Sequence, residues 1–243
     1  MKYRIALVEY LNTLPFSEGL RRSGLEEKME VHRVTPSECA RLFREGDVDI
    51  SLCPIGALDD MPAHEVVSDF CLGADGDVES VALLSHVPIH KIEKVRLDGD
   101  SKTSNKLVQI LADRYWQTNW KYYFDENEKQ PLSCVMIGDK VFEQKKNYPY
   151  RNDLAGEWKA MTGLSMVFAV WIARPGASDE IIRELNSAFQ EGMNFIASPE
   201  ADLQDWQRKY LLKNMSYSFD RRKKEAMQLF LQYAENLAMI PSR

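Results

Sequence analysis

Apolar and polar positions change rhythm several times along the chain, and each change marks an element. Ile5-Ala6-Leu7-Val8 is a continuous apolar run between polar neighbours, which predicts a buried strand. Met29 to Val34 alternates weakly and gives a second strand. Thr35-Pro36-Ser37-Glu38 reads as a helix start, with Thr35 as N-cap, Pro36 at the first helical position and Glu38 closing a capping box. Leu42 and Phe43 face inward on that helix, and Gly46 ends it. Val48 to Cys53 is the next strand, stopped by Pro54. Strands alternating with helices predict an α/β unit on a largely parallel sheet.

A second unit of the same kind begins near residue 91. Lys94-Val95-Arg96-Leu97 is a strand, and Asp98-Gly99-Asp100-Ser101 is a turn. Thr103 to Trp116 is a helix with Leu107, Val108, Ile110, Leu111 and Tyr115 on its apolar side. Cys134-Val135-Met136-Ile137 is a further strand ending at Gly138-Asp139. Residues 143–153 are polar and contain a proline, which predicts a surface loop, and Leu164 to Ala173 reads as a buried strand. Beyond it, Ser178 caps a helix with Asp179 and Glu180 in its first turn and Ile182, Leu185, Phe189 and Ile196 near one face. Pro199 begins a short helix, and Phe219 to Met239 forms a third, with Ala226, Phe230, Tyr233 and Leu237 on a stripe. The expectation is two lobes joined by apolar crossings near 78–85 and 165–173. Lobe 1 would comprise residues 1–82 and 172–243 with the C-terminal helices, and lobe 2 residues 83–171. A cleft between lobes is the default seat for a small ligand.

Composition narrows the partners. The 243 residues carry 31 Lys plus Arg against 37 Asp plus Glu, a net charge of −6, which argues against nucleic acid. The basic run Arg221-Arg222-Lys223-Lys224 is short and reads as a solvated face. MKYRIALVEYLNTLPF lacks the apolar run of a signal peptide, and no window is long enough for a transmembrane helix, so a cytoplasmic protein without a membrane partner is expected. Cys39, Cys53, Cys71 and Cys134 form no C-x-x-C and have apolar neighbours, as buried reduced thiols do. His32, His64, His86 and His90 give no zinc spacing, so no metal site is expected.

Three polar clusters could carry chemistry. Tyr10-Leu11-Asn12-Thr13 follows the first strand, and ligands bind outside the carboxyl ends of parallel strands. Asn12 offers a donor and an acceptor there, or it simply caps the next helix; position alone does not separate the two. Ser101-Lys102-Thr103-Ser104 lies between a strand and a helix, where backbone N–H groups, hydroxyls and one lysine suit an anion. Without a P-loop pattern a carboxylate fits better than a nucleotide phosphate, and an ordinary Ser/Thr cap is the plain alternative. The third cluster is Asp75-Gly76-Asp77-Val78-Glu79-Ser80-Val81. Ser80 has no nearby His or Lys in sequence to activate it as a nucleophile, but it can hydrogen-bond a ligand. No G-x-S-x-G and no cofactor fingerprint occurs. Residue chemistry alone thus gives a two-lobed α/β protein for a small anion.

Taken in order, YLNTLP, SDFCLGADGDVESVALLS, LDGDSKTSNKLVQIL, VMIGDKVF and YRNDLAGEWKAMTGLSMVFAVW resemble the chorismate dehydratase family of menaquinone biosynthesis by the futalosine route. The resemblance covers residues 3–174 and weakens in the C-terminal helices. It implies the type II periplasmic-binding-protein fold, two α/β lobes with two crossings. It also implies dehydration of chorismate to 3-[(1-carboxyvinyl)oxy]benzoate, with no metal or organic cofactor. The family's functional asparagine and serine fall on Asn12 and Ser80. Its carboxylate-holding helix start falls on Ser101, Lys102, Thr103 and Ser104, and its I-G-D at the cleft on Ile137, Gly138 and Asp139. Lys102 stands where the family has Arg, Ser165-Met166 where it has Pro-Phe, and Lys140-Val141 where it has small apolar residues. Other functions consistent with the chain are a non-catalytic carboxylate-binding protein of this fold, a lyase for another cyclohexadienyl carboxylate, and the sister enzyme forming 1,4-dihydroxy-6-naphthoate. That enzyme's Cys-Pro-Asn-Asp-like segment is here Tyr10 to Pro15. The motifs do not set an oligomeric state.

Overall fold

The computed structural model describes residues 2–125 and 127–237. Its first sheet is built from β1 (Arg4–Val8), β2 (Glu30–Val34) and β3 (Ile50–Pro54), with α1 (Leu14–Arg22), α2 (Leu25–Lys28) and α3 (Pro36–Glu45) between them. β1 pairs in parallel with both β2 and β3, as alternating strands and helices require. The Thr35 hydroxyl accepts from the Glu38 N–H at 3.4 Å, but the Glu38 carboxylate turns to Arg41, so only half of the capping box forms.

A long strand, β4 (Glu65–Ala74), then leads out of the first sheet into β5 (Val81–Ser85) of the second. The second lobe continues through β6 (Lys94–Arg96), α4 (Lys102–Arg114), β7 (Lys121–Tyr123), β8 (Ser133–Ile137), α5 (Lys140–Gln144), β9 (Tyr150–Asp153) and α6 (Leu154–Thr162). The chain returns as β10 (Met166–Ala173) and finishes with α7 (Asp179–Ala197), α8 (Asp205–Lys209), β11 (Ser216–Ser218) and α9 (Arg221–Glu235). The six-stranded order is β11-β4-β10-β3-β1-β2, and the five-stranded order is β7-β6-β8-β5-β9.

The crossings are shorter than the apolar runs suggest. β5 pairs with β8 and β9, and β10 pairs with β3 and β4 from Met166 onward. The chain therefore changes sheets at 75–80 and 163–165, rather than at 82/83 and 171/172. A strand buried on both faces reads as one apolar run whichever sheet holds it. Residues 143–153 are not a plain loop: they finish α5 and form β9, whose polarity is that of an edge strand with exposed Tyr150 and Arg151. Pro199 lies in a turn, and the short helix starts at Asp205. Phe219 precedes α9 and extends the pairing with β4, its N–H donating to the Asp69 carbonyl at 2.7 Å. The expected end of that helix at Met239 lies outside the described residues.

The basic run also divides. Arg221, Arg222 and Lys224 are exposed, but Lys223 turns inward and donates to the Ser216 carbonyl and hydroxyl and the Ser218 carbonyl at 2.7–2.8 Å. In the first lobe Trp171 stacks on Phe189 at 4.8 Å, with Phe16 packed against both. All four cysteines are free and buried, and burial pushes the Cys53 and Cys71 thiols up to about 12. The tail helix reaches across to lobe 2: Phe230 meets Trp158 of α6, and the Arg114 guanidinium of α4 lies 3.9 Å over the Tyr233 ring.

Candidate functional site

The carboxyl ends of β1 and β8, the crossing at 75–80 and the start of α4 converge on one cavity between the lobes. Asn12, Ser80, Ser101, Thr103, Ser104 and Gly138 all line it, beside Tyr10, Phe168 and Met215. Among the described residues, no Asp, Glu, Lys, Arg or His lines it.

Asn12 does not cap α1. It sits in a 3-10 turn, Leu11–Thr13, and its Oδ1 is buried with no partner among the described residues. Such an acceptor is costly to leave unmade. Ser80 is 1 % exposed, and its Oγ accepts from the Tyr210 hydroxyl at 2.7 Å. Burial raises the Tyr210 phenol well above its ordinary value, against the lowering contributions of Ser80 and Asn12.

At the start of α4, Ser101 Oγ accepts from the Ser104 N–H at 3.1 Å and donates to Ser104 Oγ at 2.9 Å. The N–H groups of Lys102 and Thr103 lie in that first turn, where no intrahelical acceptor exists. The Thr103 hydroxyl is engaged elsewhere. It accepts from the Gly56 N–H and donates to the Phe168 carbonyl, both at 3.0 Å, tying α4 to lobe 1. Lys102 is not brought into the cavity. Its ammonium turns outward to Asp60 at 2.6 Å.

Gly138 has φ +69°, and a Cβ there would lie 3.0 Å from the Tyr10 ring. Burial raises the Tyr10 phenol too, assisted by Asp100, Asp98 and Asp139, so it is a neutral donor. Asp139 stands just outside the cavity, where its two oxygens accept from the Leu11 N–H at 3.2 and 3.3 Å and close the lobes on that side. Burial raises its carboxyl, opposed by that hydrogen bond. Beyond it, an open groove between α5 and α8 is lined by Phe142, Trp206 and Tyr210.

Sequence reasoning missed Tyr10 as a ligand-facing ring, although it stood in the first polar cluster. It missed Tyr210 altogether. That residue starts a π-helical turn, Tyr210–Asn214, in the C-terminal region where the family motifs fade. No group of His, Cys, Asp and Glu suited to a metal ion occurs among the described residues, nor a helix long and apolar enough to cross a membrane.

Two α/β lobes closing on a cleft through two crossings define the periplasmic-binding-protein fold. Solved structures agree. AF1704 from Archaeoglobus fulgidus superposes with a TM-score of 0.76 at 14% identity, over 96% of this chain and 97% of that one. The Candida albicans CA3427 gene product, described as having the generic periplasmic binding protein fold, gives 0.68 at 10% identity, over 99% and 92%. The alkanesulfonate-binding protein SsuA from Xanthomonas axonopodis pv. citri, bound to MOPS, gives 0.64 at 12% identity, over 99% and 94%. Within this fold the chain belongs to the menaquinone biosynthesis family, whose model matches residues 3–236.

Proposed function

We propose that the protein is a chorismate dehydratase, forming 3-[(1-carboxyvinyl)oxy]benzoate and water. The observation that carries this reading is the buried, unpartnered Asn12 Oδ1 in a cavity it shares with Ser80. An orphan acceptor there calls for a ligand that brings a donor, and chorismate brings its ring hydroxyl. Asn12 holds that O–H, Ser80 donates to the same oxygen as it leaves, and the start of α4 holds the ring carboxylate.

The chemistry suits a lining without a charged base. The ring carboxylate, conjugated through the diene, acidifies the ring C–H, and donors at the α4 start stabilise the charge that develops. The C–H electron pair enters the ring as the C–O bond breaks. The substrate's own enolpyruvyl carboxylate takes the proton, and the departing hydroxide recovers it as water. The protein's part is to fix the reactive conformer. Departures from the family pattern fall off the cavity wall, which supports the same substrate. Lys102 pairs with Asp60 and Lys140 with Asp98, Ser165 donates to Asp75, and Met166 is buried in β10.

Incubation with chorismate, followed by chromatography against a no-enzyme control, tests the reading. Product is expected, and Asn12→Ala and Ser80→Ala each lower kcat/KM by about 100-fold. Full activity in both variants sinks the assignment of roles. The same charge-free lining also fits a protein that binds a carboxylate without turning it over. That reading replaces the first if chorismate raises Tm and no product forms.

A further inference from the structure

Tyr210 lies behind the cavity wall rather than on it, and its hydroxyl meets Ser80, with the Asn12 amide also acting on it. A π-turn inserts one residue into a helix and re-aims its side chains, and such turns recur at functional sites. Here Tyr210 is 3 % exposed, its ring packs edge-on to Phe142 at 5.1 Å, and its hydroxyl donates to Ser80 Oγ at 2.7 Å. A serine hydroxyl has one hydrogen and two acceptor positions. Tyr210 fills an acceptor position from behind, and no acceptor among the described residues takes the hydrogen of Ser80. Ser80 lines the cavity and Tyr210 does not.

We propose that Tyr210 is a positioning residue of the dehydration: it turns the Ser80 O–H toward the leaving oxygen and polarises it through a two-hydroxyl relay. The proposal rests on the dehydratase reading. Chained hydrogen bonds strengthen one another in a dry site. Ser80 is therefore a better donor to a developing hydroxide than an isolated serine, at the moment the C–O bond stretches. Burial keeps the phenol protonated, so the relay keeps its direction across the neutral range.

Tyr210→Phe tests this, because it keeps the ring on Phe142 and removes only the hydroxyl. We expect kcat to fall about tenfold with KM nearly unchanged, the pattern of an interaction felt in the transition state. In a Ser80→Ala background the same change is expected to cost nothing further, since the relay then has no end. A general structural role would instead lower Tm and give additive losses in the double variant. Unchanged kcat in Tyr210→Phe, or additive losses, overturns the proposal. If the wild-type protein does not turn chorismate over, the dehydratase reading fails separately. Crystal structures of wild type and Tyr210→Phe then decide the point: a Ser80 rotamer that stays the same in both refutes the positioning role.

Discussion

Gly138 shows how closely single residues set this cleft. Its backbone adopts φ +69°, and the Tyr10 ring covers the space a Cβ would need. Gly138→Ala is expected to cost about 1–2 kcal/mol in backbone strain alone and to push Tyr10 into the cavity. Urea denaturation should report the first effect and a raised KM the second; a variant with unchanged KM means that Tyr10 does not bound the ligand. Asn12, Ser80, Ser101, Thr103, Ser104 and Gly138, all singled out in the sequence, line one cavity. Lys102 is misleading because a cation at a helix start looks like a counter-charge, yet its side chain points outward to Asp60. Tyr210 is invisible for another reason: it meets Ser80 across 130 residues, and nothing local in either segment announces the partner.

Among the elements, α1 and α7 approach closely through glycines. A Cβ on Gly192 would lie 1.8 Å from the Pro15 carbonyl, so Gly192→Ala must part the two helices. A loss of about 1–3 kcal/mol in urea denaturation is expected from such overpacking, and no loss would mean that the pair slides freely. The strands and helices with strong periodicity are legible, including the starts at Thr35, Ser101 and Ser178. Sheet membership is not. The run ending in Ala173 is apolar because both faces are covered, and that pattern does not say which neighbours supply the cover. β9 looks like a loop in sequence because an edge strand turns one side to water. Glu79 marks the first crossing with φ +66°, an uncommon conformation for a residue with a side chain.

For the whole molecule, ion pairs at the rim add to a hydrophobic core that runs through both lobes. Glu79 receives Lys145 from lobe 2 and Lys209 from α8, and Asp60 receives Lys102. Hydrogen bonds from Lys209 and Lys102 hold these carboxyls below their ordinary values of 4.5 and 3.8. A lowered acid contributes stability above its ordinary value and loses it as pH falls through the lowered one. The pairs are thus intact from neutrality down to about pH 5 and fail only in stronger acid. Asp60 is exposed and Glu79 half-buried at the surface, so each pair is worth at most about 1 kcal/mol. Thermal melts are expected to show no loss from these pairs between pH 7 and 5: Glu79→Gln should differ from wild type by the same small margin at both. A margin that vanishes already at pH 5 contradicts the assigned direction. The buried thiols offer a different use. Cys39, Cys53 and Cys71 belong to one lobe and Cys134 to the other, all sealed from solvent and held as thiols. A colorimetric sulfhydryl reagent is therefore blind to the folded molecule and becomes a stopwatch for its opening. Sites tagged at one common rate would describe a body that unzips as a unit, whereas an early signal at Cys134 would describe two halves that live and fail on separate clocks.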